Sequence, residues 1–400
     1  MSLVTLNDFK PQFDNSYQEI FQKVATFKEV ANFRFESTLS FGESVERVSI
    51  DISGVQVRNT VRNSASTIDV VTDSAETLLI DIEKEATFHI SDGVVKQAGS
   101  LNPGEKIGAE IAMKVALDID GIFYAQVRNA AFKFDTGDLT TGTSSGVPIT
   151  LTATTVPQMT TRMSAKLRSR ANQNISTNML MVTDSYAASD ITQFIIGKNV
   201  DLASNTFQNG YSGDVNNARL IVSETLQGEA TLTSTGVFVD TQTITINGLV
   251  FTTVASIGAV AGNVLLGANA AATLTNLTAL INAPTVTTAT GVAFTVAADI
   301  GTASQLSATT SATVMTVLGR GTGRLILAET QTNASWTTNF IHSYYGKKGA
   351  IDMVVMDLKE VDMRPTADRR GTNVFSSYLA GIRTFSDGSR KFLDVLINVL

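Results

Sequence analysis

The sequence predicts an α+β protein, and three stretches carry that prediction. Residues 102–130, NPGEKIGAEIAMKVALDIDGIFYAQVRNA, hold the longest helical pattern in the chain. Residues 78–90 mostly alternate apolar and polar side chains, as a half-buried strand does. Asn247-Gly248, set between Thr243-Ile244-Thr245-Ile246 and Leu249-Val250-Phe251-Thr252, is the strongest short-range hairpin signal.

Composition narrows the classes. Four hundred residues, 43% of them hydrophobic, suit two or three domains with ample core. A formal charge of -7 argues against a dedicated nucleic-acid binder. The chain has no cysteine, which removes disulfides, zinc–cysteine sites, iron–sulfur clusters and thiol chemistry. His89 and His342 are its two histidines, too few for a multi-histidine metal site. No cofactor is expected. The start, MSLVTLNDFK, has neither the basic end nor the apolar core of a signal peptide. Residues 241–298 carry no charge, but Gly, Asn, Pro and Thr interrupt them, so they do not read as a membrane span. A soluble cytoplasmic protein is the plain expectation.

The elements come in order. Tyr17, Ile20, Phe21, Val24 and Phe27 have helical spacing, in a segment that suits a docking arm. Residues 46–72 read as a long hairpin that turns at 63–66 and carries Arg47, Arg58 and Arg62. A two-stranded hairpin is marginal alone, so it is expected to lie on another subunit. Leu78 to Ile90 is expected to be one strand. Lys84 breaks its alternation and marks a bulge or a snorkelling stem.

In the long helix, Asn102 is the N-cap, Pro103 the first helical residue, and Glu105 closes a capping box. Ile107, Ile111, Val115, Ile119, Phe123 and Val127 recur every fourth residue, widened by Ala112 and Ala116. Gly108 and Gly121 each cost about 1 kcal/mol against alanine and point to close packing or a bend. A helix roughly 40 Å long with one apolar stripe is a spine for sheets rather than a catalytic element.

Beyond it, 135–145 reads as a Gly/Thr/Ser loop, 157–171 and 185–196 as helices, and 179–182 as a buried strand. Gly197 is placed to cap the second of these helices. Asp240 and Asp299 are the only charges between Glu229 and Arg320. This Thr/Ala-rich region, with a helix at 272–283 and strands at 292–296, 305–309 and 313–318, reads as a separate inserted domain. Next come a strand at 350–361 and a charged loop at 364–371. Strands 374–385 and 391–399 are expected to form a last hairpin across Asp387-Gly388.

Chemistry-bearing patterns are few. Gly142-Thr143-Ser144-Ser145-Gly146 matches G-x-S-x-G. A nucleophile elbow needs a strand before it and a helix after it. Here a Thr/Gly loop precedes, Val147-Pro148 comes after, and no histidine partner is evident. Gly319-Arg320-Gly321-Thr322-Gly323 lacks the P-loop Lys-Ser/Thr and reads as a boundary linker. Asp118 and Asp120, two apart on a helix, diverge by about 200° and are not expected to share a metal. Arg162, Lys166, Arg168 and Arg170 make a basic helix face, read first as solvated or salt-bridged and second as a contact for an acidic neighbour or phosphates. No catalytic, cofactor-binding or metal-binding residue is assigned.

The stretch 78–127, LLIDIEKEATFHISDGVVKQAGSLNPGEKIGAEIAMKVALDIDGIFYAQV, resembles the strand-and-spine region of tailed-bacteriophage major capsid proteins with the Hong Kong 97-type fold. Residues 179–182 with the helix after them, and the C-terminal strands, are similar to that family's axial domain and closing peripheral strands. The resemblance covers roughly 1–228 and 324–400. It implies an N-terminal arm (1–35), an extended hairpin (36–77), a peripheral domain (78–152 and 350–400), an axial domain (153–228 and 322–349) and an inserted β-rich domain (229–321). TITINGLVFTT, with AATLTNLTALINA after it, resembles small β-domains of phage surface and tail proteins.

In function, the resemblance implies a non-enzymatic capsid protein of the virion, assembled in the host cytoplasm into hexamers and pentamers around double-stranded DNA. DNA would be contacted non-specifically, a separate scaffolding protein and a portal would be partners, and no membrane would be involved. Arg47, Arg58, Arg62, Arg369 and Arg370 are the candidate subunit contacts. Some members cross-link through a lysine on the hairpin. Here no lysine lies between Lys28 and Lys84, and arginine is a poor nucleophile, so non-covalent shells are expected. The nearly uncharged insert is expected on the outer face. The alternative is a tail or fibre protein that recognises a host surface, which the long helical spine argues against. A hydrolase using Ser144 is the third reading.

Overall fold

The computed structural model describes residues 19–21, 24–34, 44–51, 55, 58–59, 68–69, 72–91, 103–171, 179–196, 214–215, 218–365 and 371–399. In chain order its elements are α1 (Phe27–Val30), β1 (Ser44–Asp51), β2 (Thr72–Leu79), β3 (Ile82–Ser91), α2 (Pro103–Tyr124), β4 (Phe132–Phe134), α3 (Thr136–Thr140), α4 (Thr155–Ala171), β5 (Met179–Thr183) and α5 (Ser185–Ile196). Then come β6 (Asp214–Val215), β7 (Ala218–Val222), β8 (Gln227–Ser234), β9 (Thr243–Ile246), β10 (Leu249–Val254), β11 (Asn263–Leu265), α6 (Ala270–Asn282) and α7 (Ala297–Ala303). The chain closes with β12 (Leu306–Ser311), β13 (Val314–Gly319), β14 (Leu327–Glu329), β15 (Ala334–Lys347), β16 (Asp352–Pro365), β17 (Gly371–Arg383), α8 (Ser386–Ser389) and β18 (Phe392–Asn398). The mixture is α+β, as the sequence predicts. The expected hairpin turn at 63–66 and the expected caps Asn102 and Gly197 lie outside the described residues.

Two compact units divide the chain. The first takes residues 1–24, 30–115 and 349–391, and the second takes 25–29, 116–348 and 392–400. Residues 116–152 and 392–400 fall in the same unit as residues 153–348.

In the first unit β16, β17 and β3 form a three-stranded antiparallel sheet. β1 and β2 pair separately, Val48 opposite Ala75. The hairpin's return strand is therefore 72–79, later than expected, and the run 78–90 is two strands broken at Ile80-Asp81 rather than one. Lys84 makes no bulge. It sits opposite Tyr378 in an unbroken register and is half-buried. Among the described residues Leu78, Ile80, Val354, Leu379 and Phe385 form one local core cluster.

The second unit is built on a nine-stranded sheet. β15 lies at its centre, antiparallel to β8, to β5 and to β18. The sequence predicts no element over 334–347. From Asn339 to Tyr345 every residue is buried, so both faces are covered and no period-two signal survives. The expected last hairpin does not form. β17 pairs with β16 and β3, whereas β18 pairs with β15 and β4, and α8 occupies 386–389. Two continuous apolar strands beside Asp-Gly look like a hairpin in sequence, yet burial sends each to a different sheet.

The spine helix obeys its stripe. Val115, Ile119 and Phe123 are buried, and a 3-10 turn at 125–129 buries Val127. Gly121 meets Gly321: a Cβ on the first would lie 2.7 Å from the Cα of the second. Gly319–Gly323 is thus a turn seated on the helix, not a free linker, and Gly321 takes φ +68° there.

The insert continues the main sheet through β12, β13 and β8. A second sheet, β11–β10–β9–β14, stands apart from it. Between these sheets α6 contributes Leu274, Leu277 and Ile281 to a core with Phe251, Phe294 and Val317. The β9–β10 turn has positive φ at Asn247 and Gly248, as a type I′ turn demands. Residues 292–296 form no strand, and 297–303 is a helix instead.

Candidate functional site

The G-x-S-x-G segment is held by one carboxylate. Asp135 caps α3 and accepts from the backbone N–H groups of Gly137 (2.9 Å), Ser145 (2.9 Å) and Gly146 (2.6 Å). That network turns the expected loop into a short helix and a fixed turn. Ser144 does meet a basic partner, lysine rather than histidine. Lys166 Nζ lies 2.8 Å from Ser144 Oγ and 2.6 Å from Asp138 Oδ2, and it also donates to the carbonyl of Lys133. A cavity of about 620 Å³ opens beside it, lined by Phe134, Asp138, Gly142, Arg162, Lys166 and Ser169.

The chemistry of this cluster is nonetheless that of a staple. An ammonium has three N–H donors and no acceptor. Lys166 spends all three on Asp138, Ser144 and the Lys133 carbonyl. A base must have a free lone pair, and the ammonium that donates to a buried carboxylate has none to offer Ser144. No strand precedes Ser144 to make an elbow. Four-residue spacing on α4 is what brings Arg162 and Lys166 over the same segment, where Arg162 donates to the carbonyls of Asp138 (3.2 Å) and Thr140 (3.4 Å). Half of the basic face is thereby used inside the chain, and the side chain of Arg170 lies outside the described residues.

Asp118 and Asp120 diverge as their spacing demands. Asp118 faces Arg320 at 3.8 Å. Asp120, 1% exposed, accepts from Phe27 N (2.7 Å), Thr26 N (3.0 Å) and Thr26 Oγ1 (2.8 Å), and so caps α1 from more than ninety residues away. Burial raises its pKa to about 6, although the bonds from Phe27 and Thr26 pull the other way.

A second cluster surrounds His342, which is fully buried. Its Nδ1 lies 2.9 and 3.0 Å from the two oxygens of Asp394, and its Nε2 lies 3.2 Å from Glu229 Oε2. Arg128 reaches the same Glu229 oxygen at 3.3 Å. Burial alone would lower the imidazole's pKa, but the Asp394 charge and the hydrogen bonds that the ring donates to both carboxylates raise it. For Glu229 burial pushes up, and the His342 bond with the charges of His342, Arg128 and Lys133 brings it below the ordinary value. Sequence reasoning sees His342 without partners, because they come from 113 and 52 residues away. His89, by contrast, is exposed and bonds Asn373.

Of the expected subunit contacts, Arg47 pairs within the chain with Asp387 (2.5 Å) and Asp352 (3.6 Å), and Arg58 pairs with Asp69 (2.7 Å). Lys391 also pairs with Asp387, whose carboxyl is held low by that bond and by Arg47 against the upward push of burial. Arg62, Arg369 and Arg370 lie outside the described residues. Among the described residues no group of three or more acidic or histidine side chains could hold a metal ion, and no helix is long and apolar enough to cross a membrane.

No family model matches the chain, and no curated protein matches it. Solved structures do. One from Mycobacterium phage Che8 is 13% identical with a TM-score of 0.48, over 93% of this chain and 90% of that one. The capsid structure of the cyanophage P-SCSP1u is 10% identical with a TM-score of 0.47, over 92% and 87%. The mature capsid of bacteriophage PhiM1 is 12% identical with a TM-score of 0.42, over 89% and 81%.

Proposed function

We propose that the chain is a tailed-bacteriophage major capsid protein of the Hong Kong 97-type, a non-enzymatic subunit that assembles into hexamers and pentamers of a shell around double-stranded DNA. The observation that carries this is the first unit's incomplete burial. Its longest strands have 14 and 13 residues, about 45 Å at the usual rise per residue. Along β3 the row Ile82, Lys84, Ala86 and Phe88 is only half-buried while the alternate row is exposed. On the β1–β2 ladder Val48 and Leu79 are 60% and 57% exposed. A thin sheet and ladder of this kind are completed by further copies of the chain, and a closed assembly of copies is a shell.

Arg47, Arg58, Arg62, Arg369 and Arg370 remain the proposed rim contacts, the first two re-pairing from their internal carboxylates. A scaffolding protein, a portal and non-specifically held DNA are the expected partners, and the virion is the expected location. The Ser144 cluster supports the non-enzymatic reading, since its lysine is spent on structure. Negative-stain images of the purified, concentrated chain test the proposal. Closed isometric particles are expected, with a single monomer band on a boiled denaturing gel. Fibres would favour a tail protein, and discrete small particles at all concentrations would overturn the capsid assignment.

A further inference from the structure

Asp394, His342 and Glu229 lie on three adjacent strands, β18, β15 and β8. His342 is opposite Leu396 on one side and Gln227 on the other, so each carboxylate is its diagonal neighbour on the same sheet face. The 3-10 turn after the spine helix brings Arg128 to the far end of this row. Glu229 belongs to the strand by which the chain enters the insert.

Both ring nitrogens face carboxylate oxygens, and an ionised carboxylate only accepts. A neutral imidazole has one N–H, so one carboxylate would then confront a bare nitrogen lone pair. Only the imidazolium satisfies both. With it, two carboxylates and two cations cancel. We propose that His342 is a proton-operated clasp, which fastens the insert's root strand β8 to β15 and β18 while protonated and releases it when the proton leaves.

The groups that face the ring are all accounted for. Asp394 comes from β18 and Glu229 from β8, Arg128 comes from the 3-10 turn, and Lys133 of β4 sits opposite Asp394 and acts on Glu229. The ring of Phe340, on the same strand, closes the row at 5.3 Å. Because the folded imidazole holds its proton above the ordinary value of 6.5, the clasp is fully closed below that value and opens as pH rises through the folded pKa. At the acid end Glu229, held below 4.5, keeps its charge until pH falls beneath that value. The clasp is therefore closed below 6.5, down to the titration of Glu229, and fails as pH rises through the folded pKa of His342.

With only two histidines in the chain, selective carbon-13 labelling of histidine reads the clasp directly in the unassembled protein. His342 should show imidazolium shifts at about pH 6, and Glu229→Gln should lower its midpoint. Hydrogen exchange, corrected for intrinsic rates, should show protection of 227–234 and 334–342 falling between about pH 6 and 9. The loss should be at most about tenfold for each unit by which the folded midpoint exceeds 6.5, and should level off above that midpoint. In His342→Asn the same segments should be weakly protected at both pH values. If that variant does not fold, the wild-type titration and Glu229→Gln still decide. A His342 already neutral at pH 6, or protection in the wild type that does not change with pH, would overturn the proposal.

Discussion

Substituting Gly121 by alanine sets two effects of known sign against each other. Alanine is the better helix former by about 0.8–1 kcal/mol in a helix interior. At this position, however, the new Cβ would stand 2.7 Å from the Cα and 3.1 Å from the N of Gly321. Both atoms are backbone, so no side chain can swing away, and the loop residue already sits at φ +68°. Overpacking of this kind costs about 1–3 kcal/mol. The net expectation is a loss of about 0.5–2 kcal/mol. Gly301, in α7, supplies the control, because a Cβ there meets nothing within 4 Å. Gly301→Ala should gain about 0.5–1 kcal/mol from propensity alone. Urea unfolding of the unassembled chain, with midpoints compared at constant slope, measures both. If Gly121→Ala stabilises as much as Gly301→Ala, the seat of the 319–323 turn on the spine is wrong.

Three further substitutions bear on the clusters. Lys166→Met should lose about 3–5 kcal/mol by the same unfolding assay, because it strands the buried Asp138 carboxylate, whereas Ser144→Ala should lose about 1 kcal/mol. Asp120 should make stability pH-dependent: its folded pKa of about 6 lies above 3.8, so its contribution is full below 3.8 and lost as pH rises through 6. Measured at pH 4 and pH 7, the wild type should lose about 2–2.5 kcal/mol relative to the non-titrating Asp120→Asn. Equal pH slopes in the two proteins would refute the assignment. Excising 229–321 should not spare the subunit, since it strips β8 from β15 and uncovers Leu325 and Ala334. Circular dichroism and light scattering should show an aggregating chain.

Local signals are legible in the sequence and distant ones are not. The spine announces itself through a four-residue recurrence, α5 through its apolar face, and the β9–β10 turn through Asn-Gly, because each is decided by residues close in sequence. β15 escapes notice because burial on both faces erases alternation. The last hairpin is a false expectation because an Asp-Gly pair says where a chain turns but not which sheet each flank will join. Of the candidate site, Asp118 and Asp120 are placed correctly by helix geometry alone. The partners of Ser144 and His342 are out of reach, since a lysine 22 residues on and carboxylates on neighbouring strands converge only through tertiary packing. The bare sequence holds one usable clue: Lys166 shares a helix face with Arg162, and both need acceptors somewhere.

The central position of β15 also sets the order in which the protein can be made. β5 and β8 both precede it in the chain, and both wait for it as a neighbour. At synthesis rates of about 5–20 residues per second, the stretch from Val182 to Ala334 takes roughly 8–30 s to emerge. Throughout that interval β5, and from Ser234 onward β8 as well, presents a bare strand edge, the feature by which nascent chains find wrong partners. The insert has everything it needs for β8, β13, β12 and α6 to associate before β15 has been synthesised. β13 covers only the other edge of β8, so the edges of β5 and β8 that face β15 both stay open to mispairing until that strand is made.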